Sequence, residues 1–261
     1  MQDILTCAMG LDIHRDVIVA CLAKGELGTD PEIEIRSFST LIPEMWKLRD
    51  WVLEAECRYV AMESTGIYWQ PIYEMLEPCF DGQISILVVN ARHMKNVPGR
   101  KTDMRDAQWI ATLLRAGLLK GSFIPDKTFR ELRHLTRYRK SIVRDITAQK
   151  NRIDKFLQSS GFRFTAFLSD AFGASGRNII RHLMEYGNIS REALDRCLKT
   201  QTRKRIDEIL IALNGSLSEH QRGFLRMIFG HLEALEQHRH TVEDAITKEI
   251  TKHEEALSLL C

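Results

Sequence analysis

The period of apolar and polar positions changes once along the chain. Up to about residue 125 the apolar residues come in short runs of two kinds. ILTCAMGLDIH (4–14), DVIVACLAKG (16–25) and EIEIRSF (32–38) are β-rich runs parted by short turns, and they predict three consecutive strands paired antiparallel. PEMWKLRDWVLEAE (43–56) has helical spacing, YVAME (59–63) is the short apolar run of a buried strand, WQPIYEMLE (69–77) is helical again, and ISILVVN (84–90) is a further strand. MRDAQWIATLLRAGLL (104–119) predicts a helix opened by Thr102 or Asp103 as N-cap and ended near Gly121.

Strands disappear from the pattern after Pro125. A helix is predicted over 127–161, in which Leu132, Leu135, Arg139, Ile142, Ile146, Gln149, Ile153 and Phe156 form a heptad seam with two polar interruptions. Shorter helices are predicted at 174–186, 190–198 and 202–213. A last helix, 218–258, carries a second seam at Leu225, Ile228, Leu232, Leu235, Arg239, Val242 and Ile246. The two seams fit either an antiparallel hairpin within the chain or pairing between subunits. The expected organisation is an α/β domain over 1–125 and a helical coiled-coil region over 126–261. The order βββαβαβα predicts an open mixed sheet with flanking helices, which is the order of the ribonuclease H fold.

Composition adds the setting. The chain has 261 residues, 44% of them hydrophobic and 28% charged, enough for a sizeable core. No run reaches the ~18 apolar residues of a membrane span, and the start MQDILTCAMGLDIH lacks the marks of a signal peptide. Six cysteines are scattered without a C-x-x-C pair, which points to a reducing, cytoplasmic setting. The formal net charge of +2 hides an asymmetry: residues 127–155 hold ten Lys/Arg against three acids, a local net of +7. Charge gathered in this way attracts polyanions, though a solvated helix face has the same composition.

The candidate chemistry lies in four acids. Asp12 stands between Leu11 and Ile13 in the first strand run, where a bare carboxylate is costly unless paired or bound to a cation. Glu63 ends the run YVAME, and Asp103 and Asp106 stand three apart at a helix start, on one face. If the first and fourth strands are neighbours, the four carboxylates meet. Their mutual repulsion is relieved by hard divalent cations, Mg²⁺ above all, with Mn²⁺ as a substitute. Two such ions ~3.5–4 Å apart are the machinery of phosphodiester displacement. Lys95, Arg100, Lys101 and Arg105 surround the Asp pair and either contact phosphates or balance the acids. Arg130, Arg133, Arg137, Arg139, Lys140, Arg144, Lys150 and Arg152 are the nucleic-acid candidates of the basic helix. Ser64, Thr65 and Tyr68 read as turn and packing residues rather than nucleophiles, and His238 and His240 do not share a helix face.

The phrases GLDIHRD, AMESTGIYWQPIYEML, VVNARHMKNVPGRKTDMRDAQWIATLLRAGLL and LSDAFGASGRNIIRHLMEYG resemble the DEDD transposases of insertion-sequence family 110, relatives of the Piv invertase. The resemblance implies a RuvC-like, RNase H-type catalytic domain followed by a coiled coil, with Asp12, Glu63, Asp103 and Asp106 as the four family acids. It also implies DNA as substrate, a structured guide RNA as partner, and a homo-oligomer, dimer or tetramer, built through the coiled coil. Family members carry a further domain with a serine nucleophile, opening on an I-P-G-I-G-like stretch. This sequence stops at EEALSLLC, so that domain is expected to be missing.

The expected function is therefore metal-dependent DNA strand cleavage and exchange by a transposase subunit. A structure-specific endonuclease of the Holliday-junction kind, with water as nucleophile, and a catalytically incomplete nucleic-acid-binding chain are the alternatives. An actin-like ATPase would want glycines after the first Asp, where Ile13, His14 and Arg15 stand.

Overall fold

A computed structural model describes residues 4–64, 66–90 and 106–252. The chain divides into two compact units, Met1–Ile124 and Pro125–Cys261.

The first unit is a five-stranded sheet. Its strands are β1 (Cys7–Ile13), β2 (Val17–Lys24), β3 (Glu32–Ser39), β4 (Tyr59–Glu63) and β5 (Ser85–Val89), in the order β3-β2-β1-β4-β5. β1 pairs antiparallel with β2, and β2 with β3. β4 runs parallel to β1, and β5 parallel to β4. A three-strand meander extended by two parallel crossover strands is the ribonuclease H-like topology, so the mixed sheet read from the pattern is present.

Strand alternation divides the sheet's side chains between two layers. Met9, Leu11, Ile13, Val60 and Met62 pack with Leu48, Trp51 and Val52 of α1 (Ile42–Glu54) and with Ile72 and Leu76 of α2 (Trp69–Leu76). The intervening Ala8, Ala61 and Val89 face the other way, against Ile110, Leu113 and Leu114 of α3 (Asp106–Arg115). Small residues dominate that second face. A Cβ on Gly10 would stand 2.2 Å from the Ala107 carbonyl oxygen and 2.4 Å from the Ala111 nitrogen, so α3 lies directly on the backbone of β1.

The described part of α3 ends at Arg115 and not near Gly121. Gly117 adopts a left-handed φ of 68°. Its N–H donates to the Leu114 carbonyl while Leu118 donates to Leu113, the paired bonds of a Schellman cap. Apolar spacing alone carried the expected helix through LRAGLL, past a glycine that closes it.

Arg115 is 2% exposed and donates to the carbonyls of Leu5, Gly25, Glu26 and Thr29. It ties the C-terminus of α3 to the start of β1 and to the β2–β3 connection. Replacing it by Met would strip four carbonyls of a shared donor at once: those of Leu5 and Gly25 in half-buried residues, and those of Glu26 and Thr29 in exposed residues that can turn to water. The expected loss for Arg115→Met is about 1–3 kcal/mol, the cost of leaving a partly buried hydrogen-bonding group without its partner. All four tryptophans of the chain (46, 51, 69, 109) lie in this unit, so urea unfolding followed by tryptophan fluorescence reads the effect directly.

The second unit is helical. α4 (Lys127–Ser159) and α9 (Glu219–Thr251) are each 33 residues long. Between them come α5 (Ala174–Tyr186), α6 (Arg191–Cys197), α7 (Thr200–Arg203) and α8 (Ile206–Ala212). The two heptad seams close on each other within the chain, antiparallel. Gln149 Nε2 donates to the Ile228 carbonyl at 2.6 Å, Arg139 pairs with Glu243 at 2.7 Å, and Gln221 reaches Ser160. Ile142, Ile146, Ile153 and Leu157 are buried against Leu225, Ile228, Phe229 and Leu232. Leu157 rather than Phe156 takes the last buried position of the seam.

Ser218 caps α9 with a capping box completed by Gln221. The helix expected over 202–213 is two pieces, because Arg205 leaves the helical region (φ −110°, ψ 22°) and its guanidinium turns to the Phe167 carbonyl. Among the described residues no helix is long and apolar enough to cross a membrane.

Candidate metal centre

Asp12 is the penultimate residue of β1, and Glu63 is the last residue of β4. The parallel register pairs Leu11 with Met62, so the next residues, Asp12 and Glu63, stand side by side at the C-terminal tips of adjacent strands. Parity fixes their face. Asp12 shares the side of β1 that carries Ala8 and Gly10, and Glu63 shares the side of β4 that carries Ala61. Both therefore point to the layer of α3, away from α1 and α2.

The direction of α3 brings the third acid to the same end. Ile4 and Leu5, just before β1, donate to the carbonyl of Arg115 at 2.9 and 3.2 Å. The C-terminus of α3 thus sits over the start of β1, while Ala107 lies over Gly10. The helix runs antiparallel to the strand, and its first described residue, Asp106, lies toward the strand tip that carries Asp12. The positive end of the helix dipole is therefore directed toward that tip, which favours negative charge there.

Asp12 has an 18% exposed side chain, and its Oδ2 lies 3.2 Å from His14 Nε2. His14 is two residues further along the chain, and the pattern of acids gave no reason to single it out. Gly10 is a second residue that the pattern of acids does not single out. A glycine inside a strand run signals a close backbone approach, and this one sets the distance from α3 to the sheet.

Asp103, Lys95, Arg100, Lys101 and Arg105 lie outside the described residues. Among the described residues no three His, Cys, Asp or Glu side chains are grouped as a metal site. The described part of the candidate centre is thus three of its four acids, Asp12 and Glu63 on neighbouring strand tips with Asp106 on the covering helix. Their donor atoms are all carboxylate oxygens, the set that suits a hard divalent cation.

The basic candidates of α4 sort into two groups. Arg130 donates to the Pro125 carbonyl, Arg139 pairs with Glu243, Lys150 lies 5.5 Å from the Phe172 ring centroid, and Arg152 bonds Gln149. Arg133, Arg137, Lys140 and Arg144 are exposed.

No curated protein matches the chain. A Thermus thermophilus RuvC structure is similar over 44% of this chain and 99% of its own, at 13% identity and a TM-score of 0.30, too distant to carry an argument. A family model described as a transposase, the DEDD type of insertion-sequence family 110, matches residues 9–161, from the strand bearing Asp12 through Asp106 to the end of α4. That match spans more than half of the sequence, and the chain belongs to this transposase family.

Proposed function

We propose that the first unit is the catalytic part of a DNA-cleaving transposase, and that Asp12, Glu63, Asp103 and Asp106 hold the divalent metal, Mg²⁺ or Mn²⁺, on which cleavage depends. The observation that carries this reading is the placement of Asp12 and Glu63 at adjacent strand tips, on the face covered by the helix whose first described residue is Asp106. Carboxylates gathered at one end of a sheet repel one another, and a bound cation removes that cost. Such ions, when bound, polarise the scissile phosphate and lower the pKa of the attacking oxygen's proton.

The chain's own residues do the rest. The sheet fixes the separation of Asp12 and Glu63 through backbone register, so neither depends on a mobile loop for its position. His14 holds one oxygen of Asp12 and thereby orients the carboxylate. The N-terminus of α3 adds a positive potential beside the acids. Strand exchange directed by a structured RNA, and assembly through the helical unit, are proposed on the family resemblance alone.

Calorimetric titration with Mn²⁺ tests the centre. Wild type is expected to bind, and Asp106→Asn and Glu63→Gln are each expected to weaken binding at least tenfold while keeping the wild-type urea midpoint. Mn²⁺ isotherms equal to wild type for both variants would remove these residues from the metal site.

A further inference from the structure

The exposed basic residues of α4 are not scattered. At about 100° per residue, Arg133, Arg137, Lys140, Arg144 and Lys155 fall in one stripe, opposite the face that buries Ile142, Ile146, Gln149, Ile153 and Leu157. None of the five side chains makes an ion pair or hydrogen bond among the described residues. No acid stands within the stripe: Glu131 and Asp145 lie toward the seam side, and Asp154 lies on the flank, bonded by Gln158. Cations that merely solubilise a helix are usually interspersed with acids at i±4 spacing, which screen them. Here the acids are kept to one side and the cations stay unpaired.

The stripe is straight and runs from residue 133 to residue 155, about 33 Å at 1.5 Å per residue. That is close to one helical turn of B-form DNA, about 34–36 Å. No aromatic ring is interleaved with the cations, and Tyr138 is turned to another flank. A surface for single strands would want stacking platforms between its charges, whereas a duplex backbone asks only for cations at phosphate height. Long, flexible Lys and Arg side chains on one helix face fit that requirement and carry no base readout.

We propose that the outer stripe of α4, formed by Arg133, Arg137, Lys140, Arg144 and Lys155, seats the phosphate backbone of duplex DNA without sequence preference. This rests on the DNA-handling reading of the chain but not on its metal centre. The second unit would then grip the duplex by counterion release, whatever the first unit does to a strand.

The test uses the full chain in EDTA, so that binding is read without metal or cleavage. Fluorescence anisotropy with a duplex of roughly 30 base pairs, about three turns, is measured between about 50 and 200 mM NaCl. The triple variant Arg137→Gln, Lys140→Gln, Arg144→Gln removes three cations from the solvent face, and circular dichroism verifies that it stays helical. The slope of log K against log salt is expected to fall by about 2.7, at about 0.9 per phosphate contact. The control triple variant Arg163→Gln, Lys199→Gln, Lys204→Gln removes the same charge from exposed positions of the same unit off the stripe, and is expected to keep the wild-type slope. Equal losses in the two triple variants would mean that net charge alone binds, and would overturn the proposal. So would tighter, equally stripe-dependent binding of duplex RNA or single-stranded DNA than of the DNA duplex. A chain that binds duplex through the stripe yet shows no Mn²⁺ binding would leave this inference standing and sink the metal centre.

Discussion

Asp12→Asn is expected to abolish Mg²⁺-dependent cleavage of supercoiled DNA while leaving the fold intact. The amide is nearly isosteric with the carboxylate, so strand packing around position 12 is unchanged. What is lost is a negative charge and one hard oxygen ligand. A metal ion contributes several kcal/mol of charge stabilisation to phosphodiester chemistry, so loss of its ligand should cost about three orders of magnitude in rate. Stability should not fall with it. Without metal, Asp12 sits beside Glu63 at a strand tip, and removing one of two neighbouring carboxylates relieves repulsion. The contact with His14 involves a 59% exposed imidazole and is screened by water, so its loss weighs little. Metal should raise the melting temperature of wild type through linkage and leave that of Asp12→Asn unmoved. Cleavage by the variant at the wild-type rate would end the proposal that this acid is catalytic.

Gly10→Val should act by the opposite route and unfold the first unit. Most overpacking substitutions cost about 1–3 kcal/mol because a neighbouring side chain gives way. Here the first two obstacles are backbone atoms, the Ala107 oxygen and the Ala111 nitrogen, inside a helix whose hydrogen bonds hold them in place. Even an added methyl must lift α3 from the sheet, and valine adds two more carbons. A loss above about 3 kcal/mol is expected, a large share of the ~5–15 kcal/mol by which domains are stable. Tryptophan emission should shift to the red at urea concentrations where wild type is folded, with the helical signal of the second unit retained. Gly10→Ala serves as the graded case. If it stays folded, the shift of α3 should carry Asp106 away from Asp12 and weaken Mn²⁺ binding. A wild-type urea midpoint for Gly10→Val would show that α3 does not lie on β1 as described.

Much of the fold was legible because its elements follow simple periods. YVAME is the strand 59–63 with both ends as read, and 174–186 is the helix with both ends as read. The errors come where a local device overrides the period. Gly117 closes α3 although apolar spacing continues, and Arg205 breaks a helix to reach a carbonyl. The acids were legible as candidates because Asp12 interrupts an apolar strand and because Asp103 and Asp106 stand three apart at a predicted helix start. That Asp12 and Glu63 are neighbours depends on β4 pairing parallel with β1, a long-range choice that no local window contains. The role of Gly10 was hidden for the same reason: a missing side chain has meaning only once the element that occupies its space is known.

The polar residue buried in the α4–α9 seam has a consequence for how the hairpin keeps its alignment. Leucines and isoleucines repeating every seven residues exchange like for like, so sliding one helix by a heptad would cost the apolar contacts little. Gln149 does not forbid that slip, because every residue of α9 offers a main-chain carbonyl, but it does forbid smaller ones. Its amide meets the Ile228 carbonyl at 2.6 Å, and a shift by a fraction of a turn, or a rotation of either helix, would leave buried polar atoms unanswered, at about 1–3 kcal/mol each. The amide therefore works like a key in a slot. It fixes how α4 and α9 are rotated toward each other, while the segment that joins them, whose helices share the same core, fixes which turn meets which.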